Sequence, residues 1–205
     1  MTKRRRVPAM APEDRRAALI AATLPLLREH GTAISTRQIA EAAGVAEGTI
    51  FGVFPDKASL VRAALMHAFD PQPAVAALHA IDQPDLRVRL REAVAALRAR
   101  MSANANLAAV PRELMADDAE FRDRMMAARH CMADALAVLV EPDRHRLRRS
   151  PEATAQMLLM LVAVTVHRGT AVPDFGDMDD DEIVSVLLDG LLVRADSSPS
   201  TESSP

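Results

Sequence analysis

The residues best suited to chemistry do not form a catalytic arrangement. The single cysteine, Cys131, directly follows His130. Adjacent residues of a helix point about 100° apart, so this pair cannot act as nucleophile and base. The six histidines lack a spacing typical of metal ligands. We therefore predict no catalytic residue, no metal ligand and no cofactor, and we interpret Cys131 as a small buried thiol.

An acidic cluster precedes the last predicted helix. Hard divalent cations take carboxylate ligands, but the spacing here is not that of an EF-hand. Acidic residues also stabilise the N-terminus of a helix, and we favour this interpretation over a cation site or a metal-dependent enzyme. The cluster consists of Asp174, Asp177, Asp179, Asp180, Asp181 and Glu182.

The composition predicts an all-α protein. Of 205 residues, 49% are hydrophobic and 26% are charged, which is typical of a globular protein. Only 2% are aromatic, and this argues against a β-sandwich, which relies on β-branched and aromatic side chains. A single cysteine excludes an intramolecular disulfide, and no apolar run is long enough to span a membrane. We expect a cytoplasmic location.

Charge is distributed unevenly along the chain. Residues 1–70 contain ten Lys and Arg against seven Asp and Glu, whereas residues 71–205 contain 15 against 21. A net positive amino-terminal part on an acidic remainder indicates contact with a polyanion. The basic run Lys3–Arg6 belongs to a predicted disordered tail, residues 1–11. We hypothesise that it lies along phosphates or in a minor groove; a solvated tail is an equal alternative.

The segment from Thr36 to Val53 predicts two short helices joined by a tight turn. Ser35 and Gln38 have the capping-box spacing at the start of the first helix. Gly44 can adopt the positive φ that the turn needs, and Ala40 is small where the helices cross. This is the helix-turn-helix pattern, whose second helix enters the major groove of DNA. A helical hairpin inside a bundle is the alternative interpretation.

Prolines divide the rest of the chain. Pro25 is expected to kink or split the first helix, predicted to run from residue 12 to about residue 30. Asp56 is expected to cap a helix ending near Phe69, and Pro71 and Pro73 mark a domain boundary. Further helices are predicted near residues 83–104, 107–116, 118–140, 151–170 and 179–194.

The amino-terminal segment resembles the TetR family of bacterial transcriptional regulators over about residues 12–62. The resemblance depends on Ile39–Val45, Gly48–Phe51 and Phe54–Leu60. It implies an all-α homodimer with an N-terminal three-helix helix-turn-helix domain and a C-terminal helical bundle. The implied domains are a DNA-binding domain at 12–70, a ligand-binding and dimerisation domain at 71–195, and a disordered tail at 196–205.

The resemblance also implies how the domain binds double-stranded DNA. Thr36 and Lys57 would bind phosphates, and Gly48 and Thr49 would approach base edges. The implied function is a repressor that binds a pseudo-palindromic operator as a dimer and is released by a small-molecule effector. The predicted DNA-binding residues are Thr36, Arg37, Gln38, Ala46, Glu47, Gly48, Thr49, Phe51, Gly52 and Lys57.

The second helix of the motif departs from the family pattern at three positions. Phe51 stands where the family usually has Tyr, Gly52 where a bulky residue is common, and Val53 where a polar residue is usual. The hydroxyl group of the usual tyrosine holds a phosphate, whereas the ring of Phe51 is expected only to make packing contacts. Glu47 is expected to complement the helix dipole rather than to accept from a cytosine amino group. These departures suggest a second function, a sensor or interaction protein of the same fold with weakened or lost DNA reading.

The last two predicted helices are apolar on more than one face. Such helices are buried against their own domain and against something else, and the simplest partner is a second copy of the chain. A fully buried helix pair in a monomer is the alternative. The predicted dimer interface consists of Leu158, Leu161, Val162, Val184, Leu187, Leu188 and Leu191.

The middle helices contain soft side chains that either line an apolar cavity or fill the core. The resemblance implies that an effector binds in this region and shifts the spacing of the DNA-binding domains. The scarcity of aromatic residues favours an aliphatic or amphipathic effector. The candidate pocket residues are Met101, Leu107, Met115, Phe121, Met125 and Met126.

Overall fold

The chain is helical in the part that the structure describes. The computed structural model describes residues 11–107, 110, 114, 118–166 and 178–191. Within these ranges the structure contains helices and no β-strand, which confirms the predicted all-α class. The basic run Lys3–Arg6 and the tail at 196–205 lie outside the described residues.

Most of the described residues belong to helices. The α-helices are α1 Pro12–His30, α2 Thr36–Ala43, α3 Glu47–Phe51, α4 Lys57–Ala68, α5 Gln72–His79, α6 Leu86–Ala103, α7 Ala119–Val140, α8 Pro151–Val166 and α9 Asp180–Leu191. Short 3-10 helices lie at Gly31–Ala33, Ala105–Leu107 and Glu141–Arg146.

The chain divides into two compact units, and each is built from two separate segments. The first unit combines the residues up to Gln72 with residues 101–130, and the second combines residues 73–100 with those from Cys131 onward. The predicted boundary at residue 71 instead divides the chain into two domains, each formed by one continuous segment. As a division by function, that boundary stays a prediction.

In the first unit, α1 packs against α2 and α4, and α2 packs against α3. Ile39 of α2 and Ile50 of α3 are fully buried in the core of this unit. Burial of a side chain of this size contributes roughly 1.5–3 kcal/mol. Leu107 and Phe121, which come from the second segment of the unit, are buried in the same core.

α1 is a single helix although Pro25 lies inside it. A proline removes the hydrogen bond to the carbonyl four residues earlier, which here belongs to Ala21. Both Pro25 and Ala21 are exposed, so water can solvate the carbonyl and the helix need not break. The predicted split of this helix is therefore wrong.

Two other sequence predictions need correction. The break predicted at Pro71 and Pro73 contains α5, which begins at Gln72 and places Pro73 in its first turn, where a proline costs no helical hydrogen bond. Cys131 is exposed rather than buried. It lies on the outer side of α7, whereas Leu136 of the same helix is fully buried.

In the second unit, a buried ion pair connects α6 to the third 3-10 helix. The side chains of Arg89 and Asp143 pair, and Arg89 also donates to the carbonyl oxygen of Leu139 at 2.8 Å. Burial alone would raise the pKa of Asp143, but hydrogen bonds from Arg146 and Arg89 outweigh it and lower the pKa below its ordinary value. The pair is therefore held in its charged form and supports the fold.

The acidic residues at 179–182 also have structural partners. Asp179 and Glu182 each accept a hydrogen bond from the other's backbone N–H, at 2.8 and 2.9 Å, at the start of α9. Asp180 pairs with Arg98 at 3.0 Å, and Asp181 pairs with Arg91 at 3.2 Å. This agrees with the predicted helix-stabilising role, while Asp174 and Asp177 lie outside the described residues.

The glycine at the end of α2 provides a test of the fold. We expect Gly44→Ala to lower the free energy of unfolding by about 1–2 kcal/mol, because alanine must adopt a left-handed backbone there. The matched variant is Gly190→Ala, at an exposed position of α9 where an added Cβ meets nothing within 4 Å. Urea unfolding should show no loss of stability for this variant, and equal effects of both substitutions would contradict the prediction.

Candidate nucleic-acid interface

The turn between α2 and α3 is set by backbone geometry. Gly44 has a left-handed backbone, with φ 66° and ψ 32°, and it ends α2. The N–H of Val45 then donates to the carbonyl oxygen of Ala40 at 3.0 Å. Ala40 is 4% exposed, and its small side chain lets the two helices approach closely. α3 therefore begins three residues after Gly44, as the helix-turn-helix pattern predicts.

A capping box fixes the start of α2. The Ser35 hydroxyl accepts from the backbone N–H of Gln38 at 3.2 Å, and the Gln38 side chain accepts from the backbone N–H of Ser35 at 2.8 Å. Both halves of the predicted motif are therefore present. Because Gln38 is used in the cap, it is less available than Arg37, which is exposed, for an external contact.

A side-chain hydrogen bond links the first residues of α2 and α3. The hydroxyl group of Thr36 donates to the carboxylate of Glu47. The sequence alone does not indicate this pairing, because the two residues lie eleven positions apart. In this arrangement Glu47 holds the start of α3 to the start of α2, and the Thr36 proton predicted to reach a phosphate is already donated.

Lys57 binds backbone carbonyl groups of its own unit. Its ammonium group donates to the carbonyl oxygens of Ile34 at 2.8 Å and Thr32 at 3.2 Å. The side chain is half-buried, so it holds the segment before α2 against the start of α4. The predicted phosphate contact by Lys57 stays a prediction. A phosphate would be the third acceptor of an ammonium group that already donates to two carbonyl oxygens.

Asp56 caps α4 from the position before Lys57. Its carboxylate accepts from the backbone N–H of Ser59 at 2.7 Å. This hydrogen bond stabilises the charged form and lowers the pKa of Asp56 below its ordinary value. The predicted cap of this helix is thereby confirmed.

The outer side of α3 is open. Ile50 points into the core, whereas Glu47, Gly48, Phe51 and Gly52 are exposed, as is Ala46 just before the helix. Thr49 is half-buried. Phe51 is 54% exposed, so it does not pack within the chain as the sequence analysis expected. Helical spacing places Gly48, Phe51 and Gly52 on one side, which we call the α3 outer face.

Neither glycine of the α3 outer face is needed for the chain's own packing. Among the described residues, positive φ occurs only at Gly31 and Gly44. An added Cβ at Gly48 would meet nothing within 4 Å, and at Gly52 it would lie 3.5 Å from the Thr49 carbonyl oxygen, an ordinary contact. Glycine in a helix costs up to about 1 kcal/mol relative to alanine. Gly48 lies inside α3 and Gly52 directly follows it, and packing within the described residues requires glycine at neither position.

The family comparison agrees with this geometry. Residues 19–64, which include α2 and α3, match the family model described as bacterial regulatory proteins, tetR family. The match covers the amino-terminal segment of the chain and not the helices that follow α4. The resemblance inferred from the motifs is thereby confirmed over these residues.

Solved structures of the same fold include regulators. A TetR transcription regulator from Haloarcula marismortui is 20% identical with a TM-score of 0.67, covering 88% of this chain and 100% of its own. A transcriptional regulator from a Rhodococcus species is 22% identical with a TM-score of 0.65, covering 91% and 100%. The superantigen PfiT is 20% identical with a TM-score of 0.64, covering 91% and 100%. At these identities the likeness shows the fold alone.

No curated protein sequence matches the chain. Within the described ranges, no helix is long and apolar enough to cross a membrane. The same residues contain no group of three or more His, Cys, Asp or Glu side chains arranged to hold a metal ion.

The predicted dimer residues are mostly buried inside the single chain. α8 packs against α9, and five of the predicted residues on these two helices are at most 2% exposed. They are Leu158, Val162, Val184, Leu187 and Leu188. Leu161 is half-buried, and the side chain of Leu191 lies outside the described residues. The predicted interface set therefore stays a prediction, and most of its members are already covered within a single chain.

A different set of apolar side chains is exposed on the same two helices. Met157, Met160 and Val164 of α8 are 40–57% exposed, and Val186 of α9 is 55% exposed. The spacing of the α8 residues places them on one side of that helix. We call these four residues the α8–α9 apolar face. The sequence alone does not show which apolar residues of α8 and α9 are buried and which are exposed, because this depends on how the two helices pack.

The candidate pocket residues differ in how deeply they are buried. Leu107 and Phe121 are buried in the core of the first unit, and Met125 packs against that core. Met101 is half-buried, Met126 is exposed, and Met115 lies outside the described residues. Phe121 also lines a cavity of about 370 Å³ within the first unit, together with Arg16, Arg62 and Asp118 among others. The effector pocket therefore stays a prediction.

The contacts of Lys57 generate a prediction. Lys57→Ala leaves two carbonyl groups without their donor, and we expect the free energy of unfolding to fall by about 1 kcal/mol. Arg37→Ala removes an exposed charge from the same surface and should change it by less than about 0.5 kcal/mol. Urea unfolding at one protein concentration compares them. Equal stabilities of the two variants would show that the Lys57 contacts do not hold the unit together.

Proposed function

We propose that this chain is a ligand-responsive transcriptional repressor that binds a pseudo-palindromic DNA operator as a homodimer. The observation that carries the proposal is the α3 outer face, with two glycines that the fold does not require beside an exposed phenylalanine. The protein is proposed to act in the cytoplasm, where its operator lies.

DNA reading follows from the shape of this face. A reading helix must come close to base edges, and side chains at Gly48 and Gly52 would hold its backbone away from them. A close contact with DNA would offset the cost of Gly48 inside α3. Arg37 is exposed beside the start of α2, and its charge suits a phosphate. Thr49 is half-buried and offers a hydroxyl group at the edge of the face.

The homodimer is proposed to form through the α8–α9 apolar face. Exposed apolar side chains grouped on one surface mark interaction sites. A two-fold axis brings the same face of two copies together, and α8 and α9 of each copy then form a four-helix interface. Two copies of α3 held about one helical turn of DNA apart would read two half-sites.

The effector is proposed to act by linkage. It releases DNA if it binds more tightly to the protein conformation that does not fit the operator. Its class, aliphatic or amphipathic, and the residues that line its site remain those predicted from the sequence.

The first experiment tests DNA reading. Full-length protein selects duplexes from a random-sequence pool, and affinity for a recovered duplex is measured by fluorescence anisotropy. Gly48→Ala should weaken binding by about tenfold or more, equivalent to about 1.4 kcal/mol, because the methyl group separates α3 from the bases. Its stability should not fall, since the added Cβ has open space.

The matched control for this variant is Gly190→Ala, which should bind DNA like the wild-type protein. If the pool yields no preferred duplex, the alternative function applies, and the chain is a sensor or interaction protein with lost DNA reading. If Gly48→Ala binds as tightly as Gly190→Ala, the α3 outer face does not approach DNA closely.

A second experiment tests the dimer. Met160 is 57% exposed in the α8–α9 apolar face, so Met160→Glu should leave the fold intact but place two unpaired carboxylates in the interface. Sedimentation should then show a monomer, and DNA affinity should fall because two half-sites are no longer bound together. Val138→Glu, at a residue 65% exposed elsewhere in the second unit, should remain dimeric. A dimeric Met160→Glu variant would place the interface on another surface.

A further inference from the structure

We propose that the ring of Phe51 selects a thymine in each half of the operator by contacting the C5-methyl group of that base. The inference rests on the proposed DNA-binding function and goes beyond it by stating which base feature this chain prefers. It starts from the exposure of one aromatic ring.

Phe51 differs from the other phenylalanines of the described residues. Its side chain is 54% exposed, whereas Phe54 and Phe121 are each 2% exposed and Phe69 packs against the core. An exposed aromatic ring loses water-contacting apolar area when it meets an apolar group, which is favourable. In the free protein more than half of the Phe51 side chain faces solvent, so an external apolar group can be buried against it.

The ring stands alone on the α3 outer face. Gly48 precedes it by three residues and Gly52 follows it by one, and both residues are exposed and have no side chain. Gly48 has open space around the position of a Cβ. Phe51 is therefore the side chain that projects from this part of α3, and it would be the first to enter a groove.

The chemistry of the ring limits what it can read. Phenylalanine has no hydrogen-bond donor or acceptor, so it cannot hold a phosphate or bond to a base edge. In the major groove, the apolar feature of a base edge is the C5-methyl group of thymine, and phenylalanine is among the residues that contact it. The family resemblance implies a phosphate contact for the tyrosine usual at this position, and Phe51 would exchange that contact for an apolar one with a base.

The test removes the methyl group alone. In a duplex recovered by selection with the full-length protein, each thymine of both half-sites is replaced in turn by deoxyuridine, which keeps the pairing. Burial of one methyl-sized group corresponds to about a fourfold change in affinity, so a symmetric replacement should cost about fifteenfold. We expect this loss at one position of the half-site.

Variants of Phe51 complete a double-mutant cycle. Phe51→Ala should weaken binding to the thymine duplex by a similar factor and should be insensitive to deoxyuridine at that position, because the contact is already lost. Phe51→Leu should retain most of the preference. Val138→Ala, a matched change at another exposed apolar residue, should leave affinity unchanged. Thermal unfolding should be the same for all four proteins.

Two results would overturn the inference while leaving the proposed function intact. One is a recovered duplex whose affinity does not change with deoxyuridine at any position. The other is a Phe51→Ala variant that weakens binding but keeps full sensitivity to the methyl group, which would place the ring against sugar rather than base. Recovery of no duplex at all would instead contradict the proposed function itself.

Discussion

The left-handed backbone at Gly44 is the constraint on which the α3 outer face depends. It turns the chain after α2, and the hydrogen bond from the Val45 N–H to the Ala40 carbonyl oxygen closes this turn. The turn orients α3 so that the side chain of Ile50 is buried in the core. Once Ile50 is buried, the helical period decides which residues face outward. The exposure of Phe51 is thus a consequence of a turn seven residues earlier, and a longer turn would rotate a different set of side chains outward.

Local sequence chemistry was sufficient to predict the helix-turn-helix. The capping box at Ser35, the positive φ at Gly44 and the cap at Asp56 are each determined by residues within a few positions of one another, and each is present. The same reasoning overestimated Pro25, because the cost of a helical proline depends on whether the freed carbonyl faces solvent. That property belongs to the packed unit and is not encoded near the proline.

Contacts between distant residues could not be predicted from the sequence. Lys57 has the charge expected of a phosphate ligand, but the carbonyl groups that it binds come from a segment more than twenty residues earlier. Likewise, the apolar residues of α8 and α9 are patterned on two sides, and the sequence does not reveal which side the two helices share. On each of these helices, the buried and the exposed apolar residues are separated by only a fraction of a helical turn.

The hydrogen bond between Thr36 and Glu47 makes the two helices of the motif chemically interdependent. Grafting α3 into a relative without a hydroxyl group at the matching position would leave the carboxylate of Glu47 without its donor. Exchange of α3 alone would therefore change the start of the helix as well as its outer face. A graft that keeps this contact must include the first residue of α2.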